Sequence, residues 1–382
     1  MLARLAAPLM LLAGGGALSA VDAQAQVSTS LELGGSRLAV SPQEMKALSA
    51  LGGLVRGGQK AAQDKALAEA RRVANSRDAR YALALYELEI GNRRGDDAMR
   101  AEALDVLIAS QTTRPEKLPG HLAARGQIAF RAGDFDTAEG FWSRLLELRP
   151  SDPDALANLA QVRLARKDAP GAMELLTRAI AAREALGQPV SAIWYRQRLS
   201  IAQQGNLVEP GVAAARALVG AYPTPENWRA ALSVYRQLVA PDAAFEIDIS
   251  RLMRHVGVLV QGAEYQRMAQ LLTQAGEASE AKSVLDEATS RGLIDPRTSP
   301  TREIIAEVDR AIVKRRNGSR ATPPDPKGAQ VRSGIARLVA GQRTEAEVLF
   351  RAAAADPANG RYADLAFFWL ASLAQGQPAA AR

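Results

Sequence analysis

Small residues recur in pairs twelve positions apart along much of the chain. Two helices joined by a tight turn can cross closely only where both carry small side chains, so this spacing predicts antiparallel helix pairs. Glycines stand where a left-handed residue would end the first helix of a pair, and large apolar residues stand where neighbouring pairs would pack. The small pairs are Gly126 and Ala138, Ala160 and Ala172, Ala269 and Ala281, and Gly334 and Ala346. The turn glycines are Gly133, Gly205, Gly276 and Gly341, and the large residues are Trp142, Trp194, Trp228, Tyr235, Tyr265, Leu285 and Phe350.

The pattern repeats after 34 residues. One segment runs from Pro119 to Asp152, and the next begins at Pro153. Asp152 suits the N-cap of a helix and Pro153 suits its first position. One helix pair cannot bury its apolar face alone, so the repeat predicts a stack of pairs. The matching positions are Gly126, Ala138 and Leu145 in the first segment and Ala160, Ala172 and Ala179 in the second.

The first of these segments resembles the tetratricopeptide repeat. The resemblance rests on Gly126, Gly133-Asp134-Phe135, Ala138, Trp142, Leu145 and Pro150. It implies an all-α fold, namely a right-handed superhelical solenoid of antiparallel helix pairs. Arg198 and Pro210 depart from the pattern because small residues are usual there, so the second helix of that unit is predicted to begin late, near residues 209–211. Further units are placed from Ser191, Pro225, Gly262 and Lys327, and a degenerate unit spans residues 81–117 with Gly91, Ala103 and Pro115.

The segments outside the repeats give separate predictions. Apolar residues alternate over residues 31–40 around Gly34-Gly35, which fits a small hairpin or an ordered arm. Ser41 and Glu44 have the spacing of a capping box, and Gly52-Gly53 to Gly57-Gly58 marks a break before a helix from Lys60 to Asn75. The predicted organisation is a signal peptide over 1–25, an N-terminal arm with degenerate repeats over 26–117, a solenoid over 118–316, a linker over 317–327, a C-terminal unit over 328–374 and a disordered tail over 375–382.

The last apolar helix, residues 361–373, carries three adjacent aromatic residues, Phe367, Phe368 and Trp369. Three neighbours cannot all face one side of a helix. This helix is therefore predicted either to pack on two sides or to leave an apolar surface for a partner.

The first residues have the features of a secretory signal. Arg4 provides the positive charge, residues 5–21 are apolar or small, and Ala23-Gln24-Ala25 fits the cleavage rule. A membrane anchor is the alternative, but the run is short and broken by glycines. The sequence predicts cleavage after Ala25, a periplasmic or secreted protein, and a mature chain that does not span a membrane.

Composition excludes several kinds of chemistry. The chain has no Cys, so thiolate metal sites and cysteine nucleophiles are excluded. It has two His, which leaves few residues for a histidine-based metal or acid–base site. No nucleophile elbow or dinucleotide fingerprint occurs. The net charge of +7 permits nucleic-acid binding, but Lys and Arg form no dense run and the export signal opposes it. We therefore expect no enzyme activity, no cofactor, no metal and no nucleic acid.

The resemblance implies a binding face. In this family the first helices of successive units line a concave face that commonly holds an extended peptide. Carboxamides there can pair with a peptide backbone, and arginines favour carboxylates, so an acidic partner is expected. The alternative is that these side chains are solvated helix surface. The predicted partner-binding residues are Gln127, Arg131, Asn158, Gln161, Arg196, Gln203, Arg229, Arg236, Gln266, Arg267 and Gln270.

The leading functional hypothesis is a non-enzymatic scaffold that binds a protein or peptide segment in this groove. A role in envelope assembly or secretion, including a polysaccharide-export complex, is the expected setting. The alternative is a hydrolytic or lytic cell-envelope enzyme built on helical repeats, although no sequence feature supports it.

Overall fold

The structure is a computed structural model that describes residues 29–316 and 328–375. The predicted signal peptide, the predicted linker and all but the first residue of the predicted tail lie outside the described residues. The chain divides into two compact units between Ile128 and Ala129. Within the described ranges it is an all-α helical-repeat fold with one small hairpin.

The first unit begins with the hairpin, which confirms the first of the two alternatives. Its strands pair antiparallel, with Leu31 opposite Leu38. Ser41 and Glu44 form the predicted capping box of the first helix. That helix continues through Gly52-Gly53, so the predicted break is wrong at these two residues and lies instead at residues 56–59. The elements are β1 Thr29–Leu33, β2 Ser36–Val40, α1 Pro42–Val55, α2 Lys60–Val73, α3 Arg77–Arg94, α4 Asp97–Ala109 and α5 Leu118–Arg131, whose last three residues belong to the second unit.

The second unit continues with helix pairs. Aspartate caps explain several starts: Asp134 accepts the Thr137 N–H before α6, and Asp152 accepts the Ala155 N–H before α7, as predicted. The helices are α6 Phe135–Leu148, α7 Pro153–Ala165, α8 Ala169–Ala185, α9 Ala192–Gln204, α10 Val208–Ala221, α11 Pro225–Val239, α12 Ala243–His255, α13 Gly262–Gln274, α14 Ala278–Ser290, α15 Thr301–Arg316, α16 Ala329–Val339, α17 Arg343–Ala355 and α18 Arg361–Ala374.

The turns within the pairs follow the glycine prediction with one exception. Gly133, Gly276 and Gly341 have φ of 78°, 80° and 77°, in the left-handed region. Gly205 has φ of −85°, so the prediction is wrong there, and Asn206 takes the left-handed position with φ of 49°. Asparagine tolerates this conformation better than most residues.

The register of this pair is therefore one residue later than predicted. Helix α10 begins at Val208, and Gly211 rather than Pro210 takes the small position. A Cβ on Gly211 would lie 2.2 Å from Leu238 Cδ1 and 3.1 Å from Ala202 Cβ. The predicted late start is off by one residue: α10 begins three residues after Gly205, whereas α6 and α14 begin two residues after Gly133 and Gly276. Pro210 lies in the first turn of α10, where a proline is tolerated.

Overpacking a helix crossing should destabilise the second unit. Ala281 is completely buried in α14, and Ala181 is exposed on α8. We expect Ala281→Leu to lower the free energy of unfolding by about 1–3 kcal/mol, because the extra carbons must displace packed neighbours. Urea unfolding followed by tryptophan fluorescence measures this. Ala138→Leu tests a second crossing, and Ala181→Leu is the control, for which we expect almost no change.

Candidate functional site

The candidate binding face consists of the exposed and half-buried side chains of α7, α9, α11 and α13, here called the A-helix face. These are the first helices of their pairs. Ten of the eleven predicted residues lie in the second unit, and Gln127 lies in the first. Arg131, Arg196, Gln203 and Arg267 are exposed, whereas Gln127, Asn158, Gln161, Arg229, Arg236, Gln266 and Gln270 are half-buried.

Several of the predicted side chains form hydrogen bonds or ion pairs with a helix about one repeat further along the chain. The Gln203 side-chain amide donates to Gln237 Oε1 at 2.7 Å, which joins α9 to α11. The Gln266 amide donates to Thr301 Oγ1 at 2.8 Å, which joins α13 to α15. These carboxamides are therefore held in place by the fold and keep only part of their hydrogen-bonding capacity for a ligand.

Arg229 joins α11 to α13. Its guanidinium donates to both carboxylate oxygens of Glu264, at 3.0 and 3.1 Å, and to the Val258 carbonyl at 2.5 Å. Arg236 is likewise paired, with Glu246 at 3.3 Å. Both arginines thus have anionic partners within the chain, so charge reversal at either position would disturb the fold as well as any binding.

Sequence spacing contains a signal for the inter-helix bonds. Gln203 and Gln237 are 34 residues apart, and Gln266 and Thr301 are 35 residues apart. Equivalent positions of neighbouring repeats face each other, so complementary side chains one repeat apart are expected to pair. The 34-residue repeat was traced through small and apolar positions alone, so these polar pairs were missed.

Other predicted residues keep their functional groups available. Arg267 is exposed on α13 and has no ion pair or hydrogen bond within the described ranges. Arg196 is exposed on α9, close to Glu226. The pKa of Glu226 is lowered, mainly by backbone and Thr224 hydrogen bonds at the start of α11 and less by Arg196. Arg267 therefore offers a positive charge with no ion pair among the described residues, whereas Arg196 lies near the exposed Glu226 carboxylate.

Arg198 adds a further cation to α9. Burial lowers the pKa of its guanidinium, and its buried Nε atom has no hydrogen-bond partner. The neighbouring Tyr195 hydroxyl donates to Glu184 Oε1 at 3.0 Å, and burial, followed by this bond, raises the pKa of Tyr195 to about 12. A partly desolvated arginine interacts more strongly with an anion than a fully solvated one.

The described residues contain no group of three or more His, Asp or Glu that could hold a metal ion. In the same residues, no helix combines the length and the apolar character needed to cross a bilayer.

The helices against which the C-terminal helix packs could not be identified from the sequence. Helix α18 packs against α10 and α12. Phe368 and Trp369 are buried. The Arg216 guanidinium carbon lies over the Phe367 ring, 3.8 Å from the centre of that ring. The helix thus packs on two sides, as the first alternative for its aromatic residues predicted.

A buried ion-pair network joins α16 to α12. Asp248 is completely buried and accepts hydrogen bonds from Arg251 and Arg332, each at 2.9 Å. Burial raises the pKa of Asp248 although both arginines oppose this. Arg251 also pairs with Glu277, which directly precedes α14, and with Glu280 of α14.

Comparison with known proteins identifies the repeat. Residues 129–185 match the family model of the tetratricopeptide repeat. This segment of the chain is of tetratricopeptide-repeat type. The prediction of this resemblance is thereby confirmed, and the general prediction of a protein-interaction scaffold is supported, since tetratricopeptide repeats commonly bind proteins or peptides. Proteins with these repeats are typically not enzymes.

Solved structures of tetratricopeptide-repeat type are also similar, although weakly. The type IV pilus biogenesis factor PilW is 17% identical over 48% of this chain and 80% of its own, with a TM-score of 0.34. A tetratricopeptide repeat protein from Parabacteroides merdae is 13% identical over 76% of this chain and 98% of its own, with a TM-score of 0.38. Yeast Tom70 is 15% identical over 87% of this chain and 65% of its own, with a TM-score of 0.30. No curated protein matches the sequence.

Protonation of His255 should weaken the second unit. This ring packs on Trp369 with centroids 4.9 Å apart, and burial, followed by the charge of Arg343, lowers its pKa below the ordinary value of 6.5. A lowered pKa in the folded state means that the unfolded chain binds the proton first as the pH falls. The free energy of unfolding therefore has its full value above pH 6.5 and decreases as the pH falls below 6.5.

The measurement is urea unfolding at about pH 8 and about pH 5.5, followed by tryptophan fluorescence. We expect His255→Phe, which keeps a ring beside Trp369, to lose less stability than the parent protein over this interval. Equal losses in the two proteins would contradict the assignment.

Proposed function

We propose that this protein is a non-enzymatic scaffold that binds an acidic, extended protein or peptide segment along its A-helix face. The observation that carries the proposal is Arg267, an exposed arginine with no anionic partner in the described part of the chain. Charge-assisted hydrogen bonds to a carboxylate are among the stronger polar contacts that such a surface can make.

The neighbouring side chains support the same ligand chemistry. Arg196 is also exposed, on α9. Asn158, Gln161 and Gln270 have no side-chain hydrogen bond among the described residues, so their amides remain available to a peptide backbone. Paired amide donors and acceptors suit a ligand whose own backbone is unpaired.

The setting that we propose is the bacterial envelope. The support is the sequence of residues 1–25, with a basic start, an apolar stretch and a small-x-small end. Cleavage after Ala25 would deliver a periplasmic or secreted scaffold for an assembly or secretion complex, and polysaccharide export is one such setting. N-terminal sequencing of the protein from its native host tests the cleavage site.

The binding experiment uses fluorescence polarisation with labelled peptides of one length and of acidic, neutral or basic composition. We expect the acidic peptides to bind most tightly. Arg267→Glu should weaken that binding about tenfold, because it replaces a charge-assisted hydrogen bond with repulsion. Arg196→Glu should act in the same direction.

Arg144→Glu is the matched control. Arg144 is also exposed and without an ion pair among the described residues, but it lies on α6, the second helix of its pair. We expect acidic peptides to bind this variant as they bind the parent protein. Equal binding of acidic and basic peptides, or equal losses at Arg267 and Arg144, would overturn the proposal.

A further inference from the structure

A cavity of about 680 Å³ lies where the C-terminal helices meet the repeat helices of the second unit. Helices α12 and α14 form one side, and α16, α17 and α18 form the other. Pockets for small organic ligands commonly have this size and commonly lie where two substructures meet. The cavity takes no part in the A-helix face.

One wall of the cavity is apolar. Three residues of α16 and two of α18 form it, namely Ile335, Leu338, Val339, Trp369 and Leu373. The three α16 residues have the spacing of one helix face. Val339 is 84% exposed, which is the largest value among the exposed large apolar side chains of the described residues. Ile335 and Leu338 are half-buried and the two α18 residues are buried, so the apolar surface that meets water comes from α16 and mainly from Val339.

The opposite wall is charged, but its carboxylates already accept hydrogen bonds from donors within the chain. Glu287 accepts hydrogen bonds from Tyr265 at 2.6 Å and from Arg254 at 2.5 Å. Glu280 accepts two from Arg251, at 2.6 and 3.0 Å. These carboxylates have their donors within the chain, so the wall does not require a cationic ligand.

Two arginines of the cavity retain donors. Arg254 uses Nε for Glu287 and Nη2 for Ser283. Arg343 uses Nη2 for the Leu373 carbonyl and Nε for a 3.4 Å contact with Glu347. The Nη1 group of each has no acceptor within residues 29–316 and 328–375. Unused guanidinium donors beside an apolar wall suit an anion with an apolar body.

We propose that this cavity binds an amphipathic organic carboxylate, with its carboxylate on Arg254 and Arg343 and its apolar chain against Val339 and the α16 face. The charge of the ligand follows from the unused donors, and its apolar part follows from the exposed wall. The scaffold would then have a small-molecule site separate from its peptide-binding face.

The experiment is isothermal titration of the full-length protein with decanoate, with decanol and acetate as comparison ligands. Decanol has the chain without the charge, and acetate has the charge without the chain. We expect decanoate to bind with one site per chain and each comparison ligand to bind at least about tenfold more weakly. Quenching of tryptophan fluorescence, in which Trp369 takes part, provides a second readout.

Two variants and two matched controls locate the site. Arg343→Gln and Val339→Asp should each weaken decanoate binding about tenfold. Arg351→Gln and Val348→Asp, which change exposed residues of α17 that do not line the cavity, should leave it unchanged. Because Val339 is largely exposed, its variant should fold even if Arg343→Gln does not.

Absence of decanoate binding, equal affinity for decanol, or equal affinities of Val339→Asp and Val348→Asp would each overturn the proposal. These outcomes would leave peptide binding at the A-helix face unaffected, so failure of the two proposals can be distinguished.

Discussion

Phe368→Ala should lower the free energy of unfolding of the second unit by about 3–5 kcal/mol. The Phe368 side chain is completely buried, with its ring centre 5.1 Å from that of Tyr235 and 6.3 Å from that of Trp228. Removing the ring leaves a cavity between α18 and the repeat helices that the neighbouring aromatic residues cannot fill.

Urea unfolding followed by tryptophan fluorescence reports on this unit specifically, because all four tryptophans lie within residues 129–382. Phe367→Ala is the control on the same helix. Phe367 is only half-buried and packs under Arg216, so we expect a loss of about 1 kcal/mol. Equal losses at the two positions would contradict the packing of α18.

Asp248→Ala should lower the same free energy by about 3 kcal/mol. The carboxylate is buried between Arg251 and Arg332, and its removal leaves both guanidinium groups without that acceptor. Arg251 keeps Glu277 and Glu280, whereas Arg332 loses the carboxylate that joins α16 to α12. The loss should therefore fall mainly on the attachment of α16.

A double-mutant cycle separates this ion pair from simple packing. We expect the double variant Asp248→Leu with Arg332→Met to be clearly more stable than Asp248→Leu alone. The second substitution removes the α16 charge that the first one deprives of its buried carboxylate. Urea unfolding of the four proteins supplies the coupling energy. Additive losses would mean that Asp248 and Arg332 do not interact.

The helix pairs could be predicted from the sequence because their determinants are local. Small residues twelve positions apart, such as Ala269 and Ala281, mark a crossing within one hairpin, and aspartate or proline marks the helix starts. The error at Gly205 arose because asparagine also tolerates a left-handed turn, so Asn206 could take that place.

The packing of the C-terminal helices could not be predicted in the same way. Trp228 Nε1 donates to Gln375 across 147 residues, and Tyr235 donates to the Arg361 carbonyl across 126 residues. No periodicity relates these positions. The aromatic residues of α18 indicated only that the helix needed partners on two sides, and the partners are set by the tertiary fold.

The candidate site was predicted in part. The repeat pattern placed Arg267 and Arg196 on first helices, where both are exposed. It could not show that Arg229 is ion-paired with Glu264, or Arg236 with Glu246, because such pairs depend on the spatial order of neighbouring helices.

Hydrogen–deuterium exchange with and without the tightest-binding acidic peptide tests whether the A-helix face is the binding surface. We expect slower exchange in α9, α11 and α13 on peptide addition, with α10, α12 and α14 unchanged. Protection confined to α10, α12 and α14, or to residues 29–128, would contradict it.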